Sequence, residues 1–378
     1  MRRTSGIFML TLFMVFVIAV TGAVADEGQP AMEKSYDLSL EEAIERALRT
    51  STTLEKAEKD VDRAWEVRKT ARAAYASGPI EDLYTSIPGA DDHFIRFLSS
   101  SGQWEISKKT REMTEDAIIL QAKGNYYDII KKLHELETGM TSLQKAEADF
   151  SKVSARATVD LATGAEVQAA KSLYEMEKSA LEKAQADLDN SYRIINKLIG
   201  LPLEERFIPI TPIEFEKIEV PSLENKVAWA LSPDSNPYLW SKKEGYEISK
   251  YTWTFTTPDE AGLIDKEKAS ITYQDARKDT RNKIYELYDN LKALESSYQS
   301  TIEGMATAEE SLRVAQSMYE VGMITKNEVL AREVDLAKAK DGLLRVKSLY
   351  VITGETFEKP WLAFVGGGGA NSFESSAS

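Results

Sequence analysis

Cysteine is absent from this chain, so no disulfide, lipid-anchored cysteine or thiolate metal site is available to it. Histidine is scarce: His93 and His134 lie far apart in sequence, and carboxylates near either one arise by chance among 61 acidic residues. No nucleophile–base pattern, phosphate loop or dinucleotide fingerprint occurs. The sequence therefore predicts no enzyme, no cofactor and no metal site.

Glycine and proline are also few, at 31 of 378 residues, which leaves room for long uninterrupted helices. The chain is instead rich in Ala, Glu, Lys, Leu and Arg, the composition of long helices and coiled coils. Acidic residues exceed basic ones and give a net charge of −14. Such acidity makes nucleic acid a poor partner and opposes peripheral binding to anionic lipid.

The first 25 residues have the pattern of a cleaved export signal. Arg2 and Arg3 precede an apolar run from residue 7 to residue 20, and Ala23-Val24-Ala25 fits the small-x-small cleavage rule. The alternative is a retained anchor, but the run is shorter than the ~20 residues of a spanning helix. Cleavage removes two arginines and no acid, so the mature net charge is −16. Residues 363–378, with four consecutive glycines, are expected to form a disordered tail.

The chain contains an internal repeat. The segment S-L-E-E-A-I-E-R-A-L from Ser39 matches S-L-E-N-K-V-A-W-A-L from Ser222, and each serine is a plausible helix N-cap. A second match, at an offset of 162, joins Leu161–Val167 to Met323–Val329. Because both matches occur in the same order, the sequence predicts two tandem units, at 36–208 and 222–362. A segment with prolines at 209, 212 and 221 joins them, and we expect residues 209–221 to form an extended linker strap.

Each unit is predicted to contain a long helical hairpin. Apolar residues recur every 3.5 residues on average between Ile284 and Tyr319, which is the coiled-coil period. The hairpins are expected to reverse at tips formed by residues 157–164 and 319–325. Thr163 and Thr325 are placed to cap the returning helices, with Glu166 and Glu328 as capping-box partners.

Short β-hairpins are predicted at the other end of each unit. In the first unit, the region 77–107 offers strands at 93–98 and 103–107. In the second, residues 250–273 offer an alternating strand at 251–256, with 269–273 as its partner. Trp253 and Phe255 of that strand are candidate lipid-facing or interfacial aromatics, with packing inside a hairpin as the alternative.

The order of these motifs resembles that of the TolC-type outer-membrane efflux proteins. The resemblance covers residues 36–362 and depends on three motifs. These are the opening L-S-L-E-E-A-I-E-R-A-L, the Asn236-Pro237 step and the segment from Gly322 to Val329. It implies a mainly α fold of two tandem helical-hairpin units. It further implies a homotrimer whose helices form an α-barrel tunnel, with a β-barrel in the outer membrane that is small or reduced, because the candidate strands are short.

The resemblance also implies a function: a passive conduit for efflux or type I secretion that docks to a periplasmic adaptor and an inner-membrane transporter. The candidate docking residues are those of the two tips: Asp160, Leu161, Ala162, Thr163, Gly322, Met323, Ile324 and Thr325. Four tip acids, repeated around a trimer axis, are candidates for a pore constriction: Asp160, Glu166, Glu320 and Glu328. The alternative is that these acids sit at solvated helix ends, where the helix dipole favours them near an N-terminus.

A second function of a different class stays open. The chain is alternatively a soluble periplasmic or cell-surface coiled-coil protein of the same family that lacks a functional membrane barrel. The first hypothesis predicts a pore-forming outer-membrane trimer, and the second a helical protein that needs no detergent.

Overall fold

The computed structural model describes residues 36–77, 90–252 and 259–365, and these residues are almost entirely helical. The first unit contains strand β1 (Tyr36–Leu38) and helices α1 (Leu40–Thr50), α2 (Thr52–Ser77), α3 (Ala90–Ala157) and α4 (Gly164–Ile199). Strand β2 (Phe207–Pro209) follows. The second unit contains α5 (Leu223–Ala230), α6 (Pro237–Thr252), α7 (Asp259–Glu320) and α8 (Lys326–Glu358), and a 3-10 helix (Pro360–Ala363) ends the described chain.

The two units repeat the same order of helices. A short helix is followed by a medium helix and then by two long helices, and the short helices begin at equivalent N-caps. Ser39 accepts a hydrogen bond from the Glu42 amide at 3.1 Å, and Ser222 accepts one from the Asn225 amide at 3.2 Å. Both serines were predicted as N-caps from the sequence, and both are confirmed.

The segments predicted as strands are helical where the structure describes them. Residues 93–98 and 103–107 lie inside α3, residues 251 and 252 end α6, and residues 269–273 lie inside α7. These strand predictions are wrong because tertiary packing on neighbouring helices outweighs the local strand signal. Phe97 of α3, for example, stacks on Tyr75 of α2 at 5.8 Å between ring centroids.

Most of the core lies midway along α3 and α7 and near the C-terminal ends of α4 and α8. In the first unit, buried side chains of α1, α3 and α4 surround Phe207 of β2, while β1 and β2 pair in parallel with Leu38 opposite Pro209. In the second unit, Ile284, Leu291 and Tyr350 belong to a separate core. Both cores lie about 30 residues from the helical tips, so roughly 45 Å of paired helix projects beyond them.

The segment after β2 has no helix up to residue 222 and lies against both cores. Thr211 donates its amide to the hydroxyl of Tyr126, which in turn donates to the carbonyl of Leu38. Further along, Phe215 stacks on Tyr298 at 3.7 Å between ring centroids. This strap therefore joins the first unit to the second.

Candidate functional site

The first helical tip is a tight turn with a defined backbone pattern. The Leu161 amide donates to the carbonyl of Arg156 at 2.9 Å, and the Asp160 amide donates to that of Ala157 at 3.2 Å. These two bonds form a Schellman motif, which requires a left-handed residue after the helix. Asp160 supplies it with a φ of 60°. The Arg156 guanidinium also donates to the carbonyl of Leu161 at 2.7 Å and closes the turn.

The second tip repeats this geometry. The Met323 amide donates to the carbonyl of Met318 at 2.8 Å, and the Gly322 amide donates to that of Tyr319 at 2.9 Å. Gly322 has a φ of 74° and occupies the position of Asp160. The two turns are therefore the same motif, as their sequence alignment at an offset of 162 indicates.

The returning helices both begin at a threonine held by a glutamate three residues later. Thr163 donates its amide to the Glu166 carboxylate at 2.6 Å, and Thr325 does the same to Glu328 at 2.6 Å. In each case the backbone bond is the main cause that lowers the pKa of the glutamate. These two carboxylates are held by their own helix starts.

The other candidate acids lie in the turns. Asp160 is the left-handed residue of the first tip, and Glu320 is the last residue of α7. The side chains of both are exposed. All four acids are exposed, and two of them, Glu166 and Glu328, also hydrogen-bond the starts of their helices.

Apolar side chains are exposed at both tips. The exposed fraction is 62% for Val159 and 66% for Leu161 in the first tip, and 68% for Val321 and 76% for Met323 in the second. The adjoining residues Ala162 and Ile324 are half-buried. Since exposed apolar clusters on a folded protein commonly mark contact surfaces, the tips fit a docking role.

A polar contact that the sequence did not reveal holds the two tips at the same end of the molecule. The side-chain amide of Asn327, at the start of α8, donates to Asp149 of α3 at 2.9 Å. Lys145 donates to the other oxygen of Asp149 at 2.7 Å. Partial burial opposes ionisation of this carboxylate, but the two hydrogen bonds prevail and lower its pKa.

A second unforeseen contact lies further from the tips in the same α3–α8 seam. The hydroxyl of Thr138 donates to Asp341 at 2.6 Å, while the other carboxylate oxygen of Asp341 is buried without a hydrogen-bond partner. Burial raises the pKa of Asp341. In the sequence, this aspartate looks like one of many solvated helix acids, so only the packing identifies it.

The candidate membrane aromatics Trp253 and Phe255 lie outside the described residues. Among the residues the structure describes, no group of three or more acidic or histidine side chains is arranged to hold a metal ion. Within the same ranges, no helix combines the length and the apolar character needed to cross a bilayer.

Comparison with known proteins finds the same architecture among solved structures. No protein-family model and no curated protein matches the sequence. Among solved structures, the chain is similar to the outer membrane protein VceC from Vibrio cholerae, with a TM-score of 0.59 and 13% identity over 85% of this chain and 95% of that one. It is similar to the Campylobacter jejuni outer membrane channel CmeC, with a TM-score of 0.63 and 10% identity over 95% and 97%.

The open state of the Neisseria gonorrhoeae outer membrane channel MtrE is similar as well, with a TM-score of 0.55 and 14% identity over 87% of this chain and 89% of that one. The chain therefore has the fold of the TolC-type outer-membrane channels. The resemblance drawn from its motifs is confirmed at the level of the fold, and so is the mainly α class.

Proposed function

We propose that this protein is the outer-membrane channel component of a multi-part efflux or secretion system. Three copies form a passive tunnel of helices, and the tips meet a periplasmic adaptor that links the tunnel to an inner-membrane transporter. The observation that carries the proposal is the pair of equivalent tips, which present exposed apolar residues at one end of a channel-type fold.

The tips support a docking role because their shape is fixed without a partner. The Schellman turns and the capping glutamates fix the backbone conformation, so the exposed side chains of Leu161 and Met323 project from defined turns. A turn whose backbone is already ordered loses little backbone entropy on binding. Two such tips per copy would give six docking elements around a trimer.

The docking role is tested by placing a charge on each tip. We expect Leu161→Glu combined with Met323→Glu to abolish crosslinking to the periplasmic adaptor, because burying these glutamates against an apolar partner is costly. Leu203→Glu is the matched control, since Leu203 is 52% exposed on the segment that follows α4. Equal crosslinking to the adaptor by the unaltered protein, the double tip variant and the Leu203→Glu control would refute docking through the tips.

A second candidate is a periplasmic or cell-surface interaction protein with the same fold. The helical state of residues 93–107 and 269–273, where strands were predicted, favours it. Carbonate extraction of membranes distinguishes the two functions. Release of a soluble monomer would favour the interaction protein, whereas retention as a crosslinked trimer would favour the channel.

A further inference from the structure

A cleft lies between the strap and the helices α3 and α8, and we call it the strap cleft. Its volume is about 640 Å³, which is typical of small-molecule sites. The Thr211 amide donates to the Tyr126 hydroxyl at 2.9 Å, and the Ile218 amide donates to the Tyr350 hydroxyl at 2.8 Å. A Cβ atom at Gly354 of α8 would lie 2.5 Å from the side chain of Ile218, so strap and helix touch there. The cleft is therefore held open between two fixed points of the strap.

Carboxylates dominate the charged side chains that line the strap cleft. Five glutamates and two lysines line it, a net charge of −3. Both lysines already have a partner, because Lys123 pairs with Glu355 and the Lys217 ammonium lies 3.6 Å from the Glu219 carboxylate. The other three glutamates form no ion pair within the described part of the chain; they are Glu214, Glu216 and Glu358.

The strap holds two of these glutamates in place by burying the residues beside them. Ile213 is buried and Phe215 stacks on Tyr298, whereas Glu214 and Glu216 are exposed and line the cleft. In an extended segment, successive side chains point to opposite sides, and the burial of these residues follows that pattern. The two carboxylates are therefore directed away from the core by the packing of their neighbours.

A buried tyrosine in the cleft has a hydroxyl without a partner. Tyr127 of α3 is only 5% exposed and lines the cleft, yet no residue that the structure describes hydrogen-bonds its hydroxyl. Burial raises the pKa of Tyr127, and the negative charges of Glu355 and Glu214 raise it further, which places the ring near the carboxylates of the cleft. Since buried polar groups are ordinarily hydrogen-bonded, this hydroxyl is available to a bound molecule.

These features favour an organic cation as the ligand. The net negative charge disfavours anions, and no group of three or more acidic or histidine side chains in residues 36–77, 90–252 and 259–365 is arranged to hold a metal ion. Apolar side chains line the same cleft, among them Pro212, Ile218 and Val351. A hydrocarbon chain that carries amines matches both the carboxylates and this apolar surface.

We propose that the strap cleft binds a small organic cation with protonated amines on an aliphatic chain. Its ammonium groups lie among Glu214, Glu216 and Glu358, and one of them donates to the Tyr127 hydroxyl. The hydrocarbon chain lies against Val351. Because the strap, α3 and α8 all contribute, the ligand joins the two units. This site goes beyond the proposed channel function, since it requires neither conduction nor an adaptor.

The test is isothermal titration calorimetry of the full-length protein with cadaverine, an unbranched diamine. The uncharged diol of the same chain length is the ligand control. We expect saturable binding of cadaverine and no binding of the diol. Binding of cadaverine should weaken at high salt, because salt screens the attraction between charges at the surface.

Glu214→Gln combined with Glu216→Gln is expected to weaken cadaverine binding by about tenfold or more, because charged hydrogen bonds are replaced by neutral ones. Both glutamates are exposed, so the fold should persist. Glu175→Gln combined with Glu182→Gln is the matched control. Both of these glutamates are exposed on α4, and the two pairs of substitutions change the net charge equally. The control is expected to bind cadaverine like the unaltered protein.

Tyr127→Phe separates a contact with the ligand from general attraction to acidic residues. The substitution leaves the net charge unchanged and removes a hydroxyl that no described residue hydrogen-bonds. The urea midpoint should therefore change little. We expect the affinity for cadaverine to fall by about tenfold, which is typical for a hydrogen bond to a charged group.

Three results would overturn the proposal. Heat that does not saturate with cadaverine would show that no site exists. Equal weakening in the two double glutamine variants would show that only net charge matters. Unchanged affinity in Tyr127→Phe would place the bound cation outside the strap cleft. Conductance and adaptor crosslinking are separate readouts, so failure here leaves the proposed channel function standing.

Discussion

The two hairpins match at their tips and diverge at their cores. Both tips use a Schellman turn followed by a threonine and a capping glutamate, although Asp160 takes the left-handed position in one and Gly322 in the other. The cores correspond less closely, although in each a tyrosine hydroxyl accepts an amide hydrogen bond from the strap. The first unit holds the strap through Tyr126 and a β1–β2 pair, whereas the second holds it through Tyr350 and Phe215.

This contrast indicates that different requirements act on the two regions. The tips share a backbone shape and expose their apolar side chains, so both tips present a similar surface. The cores need only bury apolar area, and two different packings satisfy that need. The comparison predicts that stability resides in the cores and that the tips contribute little to it.

The largest effect is expected from a core substitution. Ile129→Ala removes a fully buried side chain, and we expect a loss of about 2–5 kcal/mol in the free energy of unfolding. Leu161→Ala at the exposed tip is the matched change and should stay within about 0.5 kcal/mol. Urea unfolding measures both. Similar losses for the two variants would remove the distinction between core and tip.

A smaller effect is expected where the strap is attached. Tyr126→Phe leaves the Thr211 amide without its partner and removes one of two hydrogen bonds to the Leu38 carbonyl, which also accepts from the Ile210 amide at 3.2 Å. The expected cost is about 1–3 kcal/mol. Tyr350→Phe should cost less, because its hydroxyl donates to Glu295 over a long 3.4 Å and accepts only from the Ile218 amide. Denaturant midpoints measure the stability of both variants. A larger loss of stability for Tyr350→Phe than for Tyr126→Phe would contradict this order.

The tips differ in the residue that takes the left-handed conformation, and substitution at that position tests whether the two turns are equivalent. Gly322→Ala forces an ordinary residue to a φ of 74° and should cost about 1 kcal/mol. Asp160→Gly relieves the same strain and should stabilise the first tip by up to about 1 kcal/mol. Hydrogen exchange of the tip amides reports each change. Gly322→Ala is predicted to destabilise its tip and Asp160→Gly to stabilise its own. Stability changes of the same sign would contradict a common turn geometry.

The smallest effect concerns the capping glutamates. The amide bonds from Thr163 and Thr325 lower the pKa of Glu166 and Glu328 below the ordinary value of 4.5. The cap is therefore fully present above pH 4.5 and is lost as the pH falls through the lower folded-state pKa. Protection of the first amides of α4 should decrease over that range. In Glu166→Gln this pH dependence should vanish from α4 and persist in α8.

The sequence predicts much of the fold because several local signals agree. The serine caps, the 3.5-residue period and the repeated tip segments are short-range patterns, and each appears where it was expected. The segment around residues 93–107 misleads because glycine and aromatic residues there suggest strands. Only the rings of α2 and the side chain of Ile248, far away in sequence, show why this segment is helical.

The candidate site is predictable in its position but not in its detail. The repeated segments locate both tips, and the threonine–glutamate spacing predicts their caps. The left-handed φ of Asp160 has no sequence signal comparable to a glycine. Two further contacts depend on how the two hairpins pack together. Asn327 donates to Asp149, which is 178 residues away in sequence, and the carboxylate of Asp341 is buried between α3 and α8. No local sequence pattern predicts either contact.

Planar-bilayer recording of protein extracted from outer membranes is the decisive experiment on whether copies of this chain form a conducting channel. We predict discrete, repeatable steps of ion conductance from a species that crosslinks as a trimer. A monomer that adds no conductance to the bilayer would contradict the channel function and favour a helical interaction protein.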